Sequence, residues 1–456
     1  MAGLSDRGLA RRVEIRDLCT SSGPCPVPIS TVPSSNRAEA RSSRLLTHEL
    51  RIHEAVLSSF FDPASAQIEQ LMQLSATEWK RLIYWLDVSG LALYLADRFV
   101  QLGLLDALPE PVVGDLQQRM KDNTQRTRGM VVESVAIQLD FQEAGLSYAV
   151  MKGFSLSPSS VPRPELRHQF DLDFLMAEKS APQARRILER RGYRLYAISG
   201  RTWEFKINET PHGSIKDLYK DVPYRAVELH LEADTTGQAS RLDRVRNREL
   251  FGIMMPVLSP VDLFLGQAMH VFKDVSSAFI RAAHLLEFYR HVLSRRDDNV
   301  FWHELRLRVG NDRRTCLGLG VVTYLMTSIM GNFAPEALTA WTVQELPPAV
   351  RLWVELYGRR TTFGKHPGTK LYLLLQKELE RAGVAGKRPV SNSLLPFRLP
   401  PIVIRGSSDE TLSIRIARYR VQGRFIASRL RFHIVEGLRY AVESYRWSHY
   451  LDRLSS

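Results

Sequence analysis

The sequence has few cysteines and no long apolar run. Its three cysteines, Cys19, Cys25 and Cys316, are too few for a disulfide framework and lack the spacing of a zinc cluster. No stretch reaches the roughly 18 consecutive apolar residues that a membrane span needs. The N-terminal residues are scattered with charge and lack the apolar core of a secretory signal. These absences predict a cytoplasmic protein without a transmembrane segment.

Acidic residues are outnumbered by basic ones. The chain has 49 Asp and Glu against 62 Lys and Arg, which gives a net charge of +13. Such a balance favours an anionic partner, for example an NTP, RNA or a membrane surface. Because an arginine-rich composition also follows from genomic base bias, RNA binding stays an open alternative. The hydrophobic content of 44% is typical of a globular protein.

Shifts in composition divide the 456 residues into five segments. Residues 1–45 are rich in proline and serine, which predicts a disordered leader. Helical spacing of apolar residues predicts an N-terminal helical domain over 46–146, and short strands predict an α+β core over 147–235. A helical domain over 236–358 and a basic C-terminal region over 359–456 follow. The predicted fold class is α+β, a mixed-sheet core flanked by N-terminal and C-terminal helical regions.

Two carboxylates stand two residues apart in a strongly apolar segment, Phe170 to Met176. Side chains at positions i and i+2 of a strand share one face, so Asp171 and Asp173 are expected to point the same way. Leu172 and Phe174 would then fill the opposite face. Paired carboxylates repel each other unless a cation or water lies between them, which indicates a site for divalent cations.

A second alternating segment supplies a partner for this pair. In Arg225 to Glu232, the apolar residues alternate with Glu228, His230 and Glu232, which predicts a neighbouring strand with one acidic face. Glu228 would complete a three-carboxylate cluster for Mg²⁺ or Mn²⁺, with Glu232 as the alternative. His230 is expected to hydrogen-bond a metal ligand rather than to bind the metal itself.

A tight turn is predicted upstream of the acidic pair. The segment from Ser147 to Met151 is typical of a buried strand, and Lys152 and Gly153 follow it. Gly153 would let the backbone approach a phosphate, and the ammonium group of Lys152 would neutralise it. The duller interpretation is that Lys152 and Gly153 simply close the strand.

These motifs occur in an order that resembles a known family. Met151-Lys152-Gly153, then Arg167 with Asp171-x-Asp173, then Glu228-Leu229-His230 is similar to the uncharacterised nucleotidyltransferase family of the polymerase-beta-like nucleotidyltransferase superfamily. The similarity covers roughly residues 50 to 330. The sequence departs from the superfamily in one respect. The usual phosphate-binding turn has a serine directly after the glycine, whereas here Ser155 follows Gly153 by two positions.

The resemblance implies transfer of a nucleoside monophosphate from an NTP, with ATP expected, to a small molecule, peptide, protein or RNA. It implies that Asp171 and Asp173 hold both metal ions and that Glu228 binds the metal beside the attacking oxygen or acts as its base. The implied site also includes residues that would bind the substrate or its phosphates, namely Lys152, Gly153, Ser155 and Arg167.

Several alternatives stay open at this stage. Arg167 could pair with Asp171 or Asp173 structurally instead of touching substrate. The fold could also serve as a catalytically inactive nucleotide- or RNA-binding module.

His270 lies in an apolar stretch and is expected to be a core histidine with satisfied hydrogen bonds. In the basic C-terminal region, a helix could meet a membrane surface, an acidic partner or RNA, or could present a solvated basic face whose apolar side is packed.

Overall fold

The computed structural model describes residues 48–61, 67–207, 217–221, 225–233, 240–384, 393–394 and 411–455. The predicted leader over 1–45 lies outside these residues. Residues His48–Ser456 form one compact unit, and the domain boundaries predicted inside it stay predictions.

A mixed seven-stranded sheet stands at the centre of the described residues. Its strands are β1 (Tyr148–Met151), β2 (Asp171–Ala177), β3 (Arg194–Ser199), β4 (Thr202–Ile207), β5 (Arg225–Glu232), β6 (Arg246–Leu250) and β7 (Ile253–Val257). They lie in the order β3-β4-β5-β2-β1-β7-β6. The β2–β5 and β1–β7 pairs are parallel, and the other neighbours are antiparallel.

Helices precede and follow the sheet. The first group comprises α1 (48–58), α2 (Ile68–Met72), α3 (Ala76–Ser89), α4 (Ala92–Gln101) and α5 (Glu110–Glu143), and α6 (Ala181–Arg190) connects β2 to β3. The second group comprises α7 (Pro260–Val275), α8 (Ala282–Ser294), α9 (Asn299–Val309), α10 (Arg313–Met330), α11 (Glu336–Thr339), α12 (Pro348–Trp353), α13 (Arg359–Thr362), α14 (Tyr372–Arg381) and α15 (Leu412–Ser455). Within the described residues, no helix combines the length and apolarity that a membrane crossing requires. The predicted α+β class with a mixed sheet and flanking helical regions is confirmed.

The two faces of the sheet pack into different apolar clusters. Leu172 and Phe174 of β2 pack with α5 and α6 on one face, as the alternation predicted. Leu175 and Met151 belong to the second cluster, which includes residues of α3, α7 and α8. The face that carries the candidate site is therefore the one that meets the helical regions.

Two strands lie within residues 236–358, for which a helical domain was predicted. Arg246–Leu250 and Ile253–Val257 form an antiparallel pair that extends the sheet beyond β1. The pattern hid them because Arg246–Leu250 is charged and lies at the sheet edge, while Pro256 interrupts the second strand. The helical part begins only with α7.

Helix α15 packs its apolar side over only part of its length. Tyr440 and Trp447 are buried, and Trp447 Nε1 donates a hydrogen bond to Glu378 Oε1 at 3.0 Å. Earlier in the helix, Ile416 and Leu430 are exposed. The first half of α15 therefore presents apolar as well as basic side chains to solvent.

Candidate active site

The acidic face predicted from sequence is formed by the parallel pair β2 and β5. In their register, Asp173 lies opposite Glu228, and Leu172 lies opposite Val227. Paired residues of neighbouring strands point to the same side, so Asp171, Asp173 and Glu228 share the face that meets the helices. The structure thus brings Glu228 beside Asp173.

The alternative acid on β5 is engaged elsewhere. Glu232 lies opposite Ala177, at the far end of β2. Its carboxylate accepts hydrogen bonds from the Ser240 hydroxyl and, at 2.7 Å, from Arg241 Nε. Glu232 is therefore a structural ion-pair partner, and the acid next to Asp173 is Glu228.

Asp173 is the centre of the contacts in this site. Its Oδ1 atom accepts hydrogen bonds from Lys152 Nζ at 2.8 Å and from His230 Nε2 at 2.7 Å. His230 Nε2 also lies 3.3 Å from Glu228 Oε2, and its Nδ1 atom lies 3.3 Å from the Thr202 hydroxyl. The imidazole of His230 therefore bridges the two carboxylates, as expected of a group that hydrogen-bonds a ligand.

The turn after β1 holds Lys152 in an unusual backbone conformation. Lys152 has a φ of 51° and Gly153 a φ of 43°. A Cβ atom at Gly153 would lie 2.7 Å from Gln169 Oε1, so together with its positive φ this position favours glycine. Ser155 is fully buried, and its hydroxyl donates to the carbonyl of Lys152 at 2.7 Å. The hydroxyl hydrogen of Ser155 is therefore already donated within the turn. Binding of a phosphate by this hydroxyl is less favourable than the sequence suggested.

Arg167 is paired with a helix rather than with the acidic strand. Its Nε atom donates to Glu287 Oε1 of α8 at 3.1 Å, and the same oxygen accepts from the Tyr94 hydroxyl at 2.9 Å. Neither of the two pairings considered from sequence, with Asp171 or Asp173, is formed as an ion pair. Only the three-dimensional packing reveals this partner, because Glu287 lies 120 residues further along the chain.

A cavity of about 140 Å³ lies between the acidic face and the helices. The sheet side contributes Lys152, Asp171 and Asp173, and Arg167 also lines it. Asp173 is buried, whereas Asp171 is half-buried. The cavity is therefore lined by both cationic and acidic groups.

The acidic groups carry their charges at different energetic cost. Burial, followed by the charges of Asp173 and Glu228, raises the pKa of Asp171 to about 6. Burial opposes ionisation of Asp173 too, but His230 and Lys152 outweigh it and hold the pKa of Asp173 below its usual value. Burial likewise disfavours charge on Lys152 and His230, yet Asp173 raises the pKa of both. The charge of Asp171, which Lys152 and Arg167 offset only in part, is thus less well compensated than that of Asp173.

The donor set fits a divalent cation. Asp173, Glu228 and His230 each offer one ligand atom, and these atoms all lie within 4.8 Å of one another. Carboxylate oxygens suit Mg²⁺ and Mn²⁺, and an imidazole is accepted more readily by Mn²⁺. Asp171 lies outside this group of three, so the structure joins two of the predicted carboxylates with the histidine.

The helical wall holds a second group that the sequence analysis missed. His270 and His284 line the cavity, and Asp274 lies within 4.8 Å of both at the ligand atoms. Burial lowers the pKa of His270 to about 4 and that of His284 to about 3. The expectation of a fully satisfied core histidine was wrong for His270, which is half-buried and makes no hydrogen bond to another described residue. The spacing of four between His270 and Asp274 was the available signal.

Two solved structures resemble parts of this chain. The antibiotic-resistance factor ANT(2'')-Ia is 13% identical, with 42% of this chain and 97% of that chain covered and a TM-score of 0.31. An antigenic nucleotidyltransferase-like protein from Paracoccidioides brasiliensis is also 13% identical, with 47% and 97% covered and a TM-score of 0.28. No curated protein matches the chain.

The sequence itself matches a protein family. Residues 75–326 match the family described as uncharacterised nucleotidyltransferase, and this stretch contains every residue of the candidate site. The match spans more than half of the 456 residues. The chain therefore belongs to the uncharacterised nucleotidyltransferase family, and its function is nucleotidyltransferase-like.

Proposed function

We propose that this chain transfers a nucleoside monophosphate from an NTP, with ATP as the expected donor, in a reaction that depends on Mg²⁺ or Mn²⁺. An acceptor oxygen forms a bond to the α-phosphorus, and pyrophosphate leaves. Family membership supports the transferase class. The observation that carries the finer proposal is the convergence of Asp173, Glu228 and His230 beside a cavity.

The acidic face would hold the ions. Asp171, Asp173 and Glu228 supply the carboxylate ligands, and His230 keeps the last two in position through its ring nitrogen. A bound divalent cation would neutralise triphosphate charge and favour ionisation of the attacking hydroxyl. Glu228, at the outer side of the cluster, is placed to accept the proton of that hydroxyl if it is not itself a ligand.

Cationic side chains would receive the triphosphate. Lys152 Nζ lies 2.8 Å from Asp173, and neutralisation of Asp173 by a cation would release this ammonium group for a phosphate oxygen. Gly153 permits close approach of the backbone. Arg167, held by Glu287, contributes positive charge to the cavity wall. Ser155 is the weakest of these assignments, because its hydroxyl is already donated to the turn.

The proposal extends to partners and setting. The acceptor is a small molecule, peptide, protein or RNA, and the net charge of +13 favours an anionic one. We place the reaction in the cytoplasm, in line with the low cysteine content.

The test combines metal binding with label transfer. Mn²⁺ binding to the full-length protein is measured by electron paramagnetic resonance, and [α-³²P]ATP and [γ-³²P]ATP are each incubated with Mg²⁺ and members of the four acceptor classes. We expect label to be retained from the α-phosphate alone. Asp173→Asn and Glu228→Gln should lower the rate on the order of 100-fold or more, because each removes a charged ligand. Glu249→Gln, an exposed carboxylate on β6, is the matched control and should leave both readouts unchanged.

A second candidate is an inactive nucleotide- or RNA-binding module of the same fold. The commitment of the Ser155 hydroxyl to the turn favours this candidate, because a phosphate-binding serine would need that group. Nucleotide binding with no release of pyrophosphate under any acceptor would support the module. If Mn²⁺ binding is unchanged in every acidic variant, the acidic face is not a metal site under either candidate.

A further inference from the structure

A second cluster of metal-binding side chains lies on helices α7 and α8. His270 and Asp274 are four residues apart, so they share one face of α7. His284 stands in the first turn of α8. The rings of the two histidines are 4.8 Å apart between centroids, and His284 Nδ1 lies 2.7 Å from Asp274 Oδ2. Two helices therefore bring two imidazoles and one carboxylate to one point.

The hydrogen bonds in this cluster leave nitrogen lone pairs available. A carboxylate accepts, so His284 donates its Nδ1 hydrogen to Asp274, which leaves Nε2 as the atom with a free lone pair. The ring of His270 makes no hydrogen bond to any other residue in the described part of the chain. The nearby guanidinium group of Arg281 is directed to His168 Nε2, at 2.5 Å. An imidazole that lines a cavity without a partner is placed to bind a ligand.

We propose that His270, Asp274 and His284 bind one divalent transition-metal ion of the Zn²⁺ type. Two imidazoles with one carboxylate are a common zinc ligand set, whereas Mg²⁺ prefers oxygen ligands alone. Asp274 either joins the coordination or orients His284 through its hydrogen bond. Tetrahedral zinc with three protein ligands keeps a fourth position for water or for a ligand in the cavity.

The surrounding charges select the kind of ion. Asp274 and Glu287 are negative, while Arg167, Arg281, Lys152 and Lys273 are positive, and all six act on His270 or His284. The positive charges at least offset the negative ones, so simple ionic attraction to a cation is small. Binding then depends on coordination bonds to nitrogen, and these favour Zn²⁺ over Mg²⁺.

This site is separate from the acidic face of the sheet. Its three ligands come from α7 and α8, whereas Asp173, Glu228 and His230 come from β2 and β5. Both groups border or adjoin the same cavity, on the helical side and on the sheet side. The proposed zinc site does not require the proposed transferase activity, and each can be tested without the other.

The experiment measures zinc affinity of the full-length protein after treatment with a chelating resin. Zn²⁺ is titrated in competition with a chromophoric chelator, and Co²⁺ is titrated separately to record its visible spectrum. We expect one equivalent of Zn²⁺ that is retained in Asp173→Asn, besides any equivalent bound at the acidic face, and a Co²⁺ spectrum of four- or five-coordinate nitrogen and oxygen ligation. The double variant His270→Gln, His284→Gln should lose affinity by at least about 100-fold.

Two controls separate this site from others. His303→Gln, at an exposed position of α9, should keep the affinity of the unmodified protein, and so should Asp173→Asn. Circular dichroism compares the folding of each variant, and the Co²⁺ spectrum of the unmodified protein needs no variant. Three results would each overturn the proposal. These are a zinc affinity that is unchanged in the double variant, a zinc affinity that disappears in Asp173→Asn, and a Co²⁺ spectrum of the hexaaquo ion.

Discussion

At the scale of single residues, the acidic face is asymmetric. Asp173 is compensated by Lys152 and His230 at hydrogen-bond distance. Asp171, two residues earlier, accepts no side-chain hydrogen bond from the described residues, and its pKa is raised to about 6. A carboxylate in this situation destabilises the folded protein when it ionises, unless a cation is bound. This asymmetry supports the cation site proposed for the acidic face.

The asymmetry predicts a pH-dependent effect of Asp171→Asn in chelator-treated protein. A carboxyl group whose pKa is higher in the folded than in the unfolded state destabilises the protein above that pKa, and the penalty fades as the pH falls towards 4. The variant should therefore raise the free energy of unfolding at pH 8 by about 1–3 kcal/mol and have little effect near pH 4. Urea denaturation in EDTA at the two pH values measures the difference.

The matched control is Asp297→Asn, which removes an exposed carboxylate. It should change the free energy of unfolding little at either pH. An equal effect of Asp171→Asn at pH 8 and at pH 4 would contradict the raised pKa. With added Mn²⁺ the unmodified protein should become more stable than Asp171→Asn, because a bound ion stabilises the charged form of Asp171.

The residues that sequence could identify are those that obey a local period. Asp171, Asp173 and Glu228 stand on alternating segments, and the pairing of β2 with β5 places them on one face as predicted. The partner of Arg167 could not be predicted, because an ion pair with Glu287 depends on how α8 packs against the sheet. The roles of all these residues in catalysis stay predictions.

At the scale of elements, long periodic segments were predictable and short irregular ones were not. The start of α7 follows from Ser259, whose hydroxyl accepts from the Asp262 amide at 3.2 Å. The strands β6 and β7 could not be found, since charge and Pro256 erase the alternation. The adjacency of β5 to β2 was predicted, but the order of the other strands was hidden, because pairings such as that of β1 with β7 are long-range contacts.

Helix α10 packs closely at Gly320, and this contact gives a prediction. A Cβ atom there would lie 2.6 Å from the Thr342 carbonyl oxygen and 2.9 Å from Leu346. Backbone atoms cannot give way easily, so Gly320→Ala should lower the free energy of unfolding by about 1–3 kcal/mol. Guanidinium denaturation of the full-length protein measures the change.

The same substitution elsewhere in a helix should act in the opposite direction. Gly266 lies in α7 with nothing within 4 Å of its added Cβ atom. Gly266→Ala should stabilise the protein by about 0.5–1 kcal/mol, because alanine has the higher helix propensity. If Gly320→Ala and Gly266→Ala changed the free energy of unfolding in the same direction, the contact at Gly320 would not control the packing of α10.

At the scale of the whole molecule, buried histidines contribute to the response to acid. His53 stacks on Trp85 with ring centroids 4.0 Å apart, and its Nδ1 atom donates to the Phe363 carbonyl at 2.7 Å. His291 Nδ1 donates to Gln267 Oε1 at 2.7 Å. Burial lowers the pKa of His53 to about 4 and the pKa of His291 to about 3. Both imidazoles are therefore neutral in the folded protein at physiological pH.

These two histidines predict loss of stability in mild acid. The unfolded chain takes up their protons near pH 6.5, whereas the folded protein resists until about pH 4 or below, so stability is full above pH 6.5 and falls as the pH decreases. Each histidine should add a slope of about 1.4 kcal/mol per pH unit between pH 6 and pH 4.5. Free energies of unfolding from urea titrations across this range measure the slope. His53→Gln, whose amide can still donate to the Phe363 carbonyl, should reduce it by about one histidine's share, while the exposed His303→Gln should leave it unchanged. A slope that is the same in His53→Gln and in the unmodified protein would mean that His53 is not held neutral by the fold.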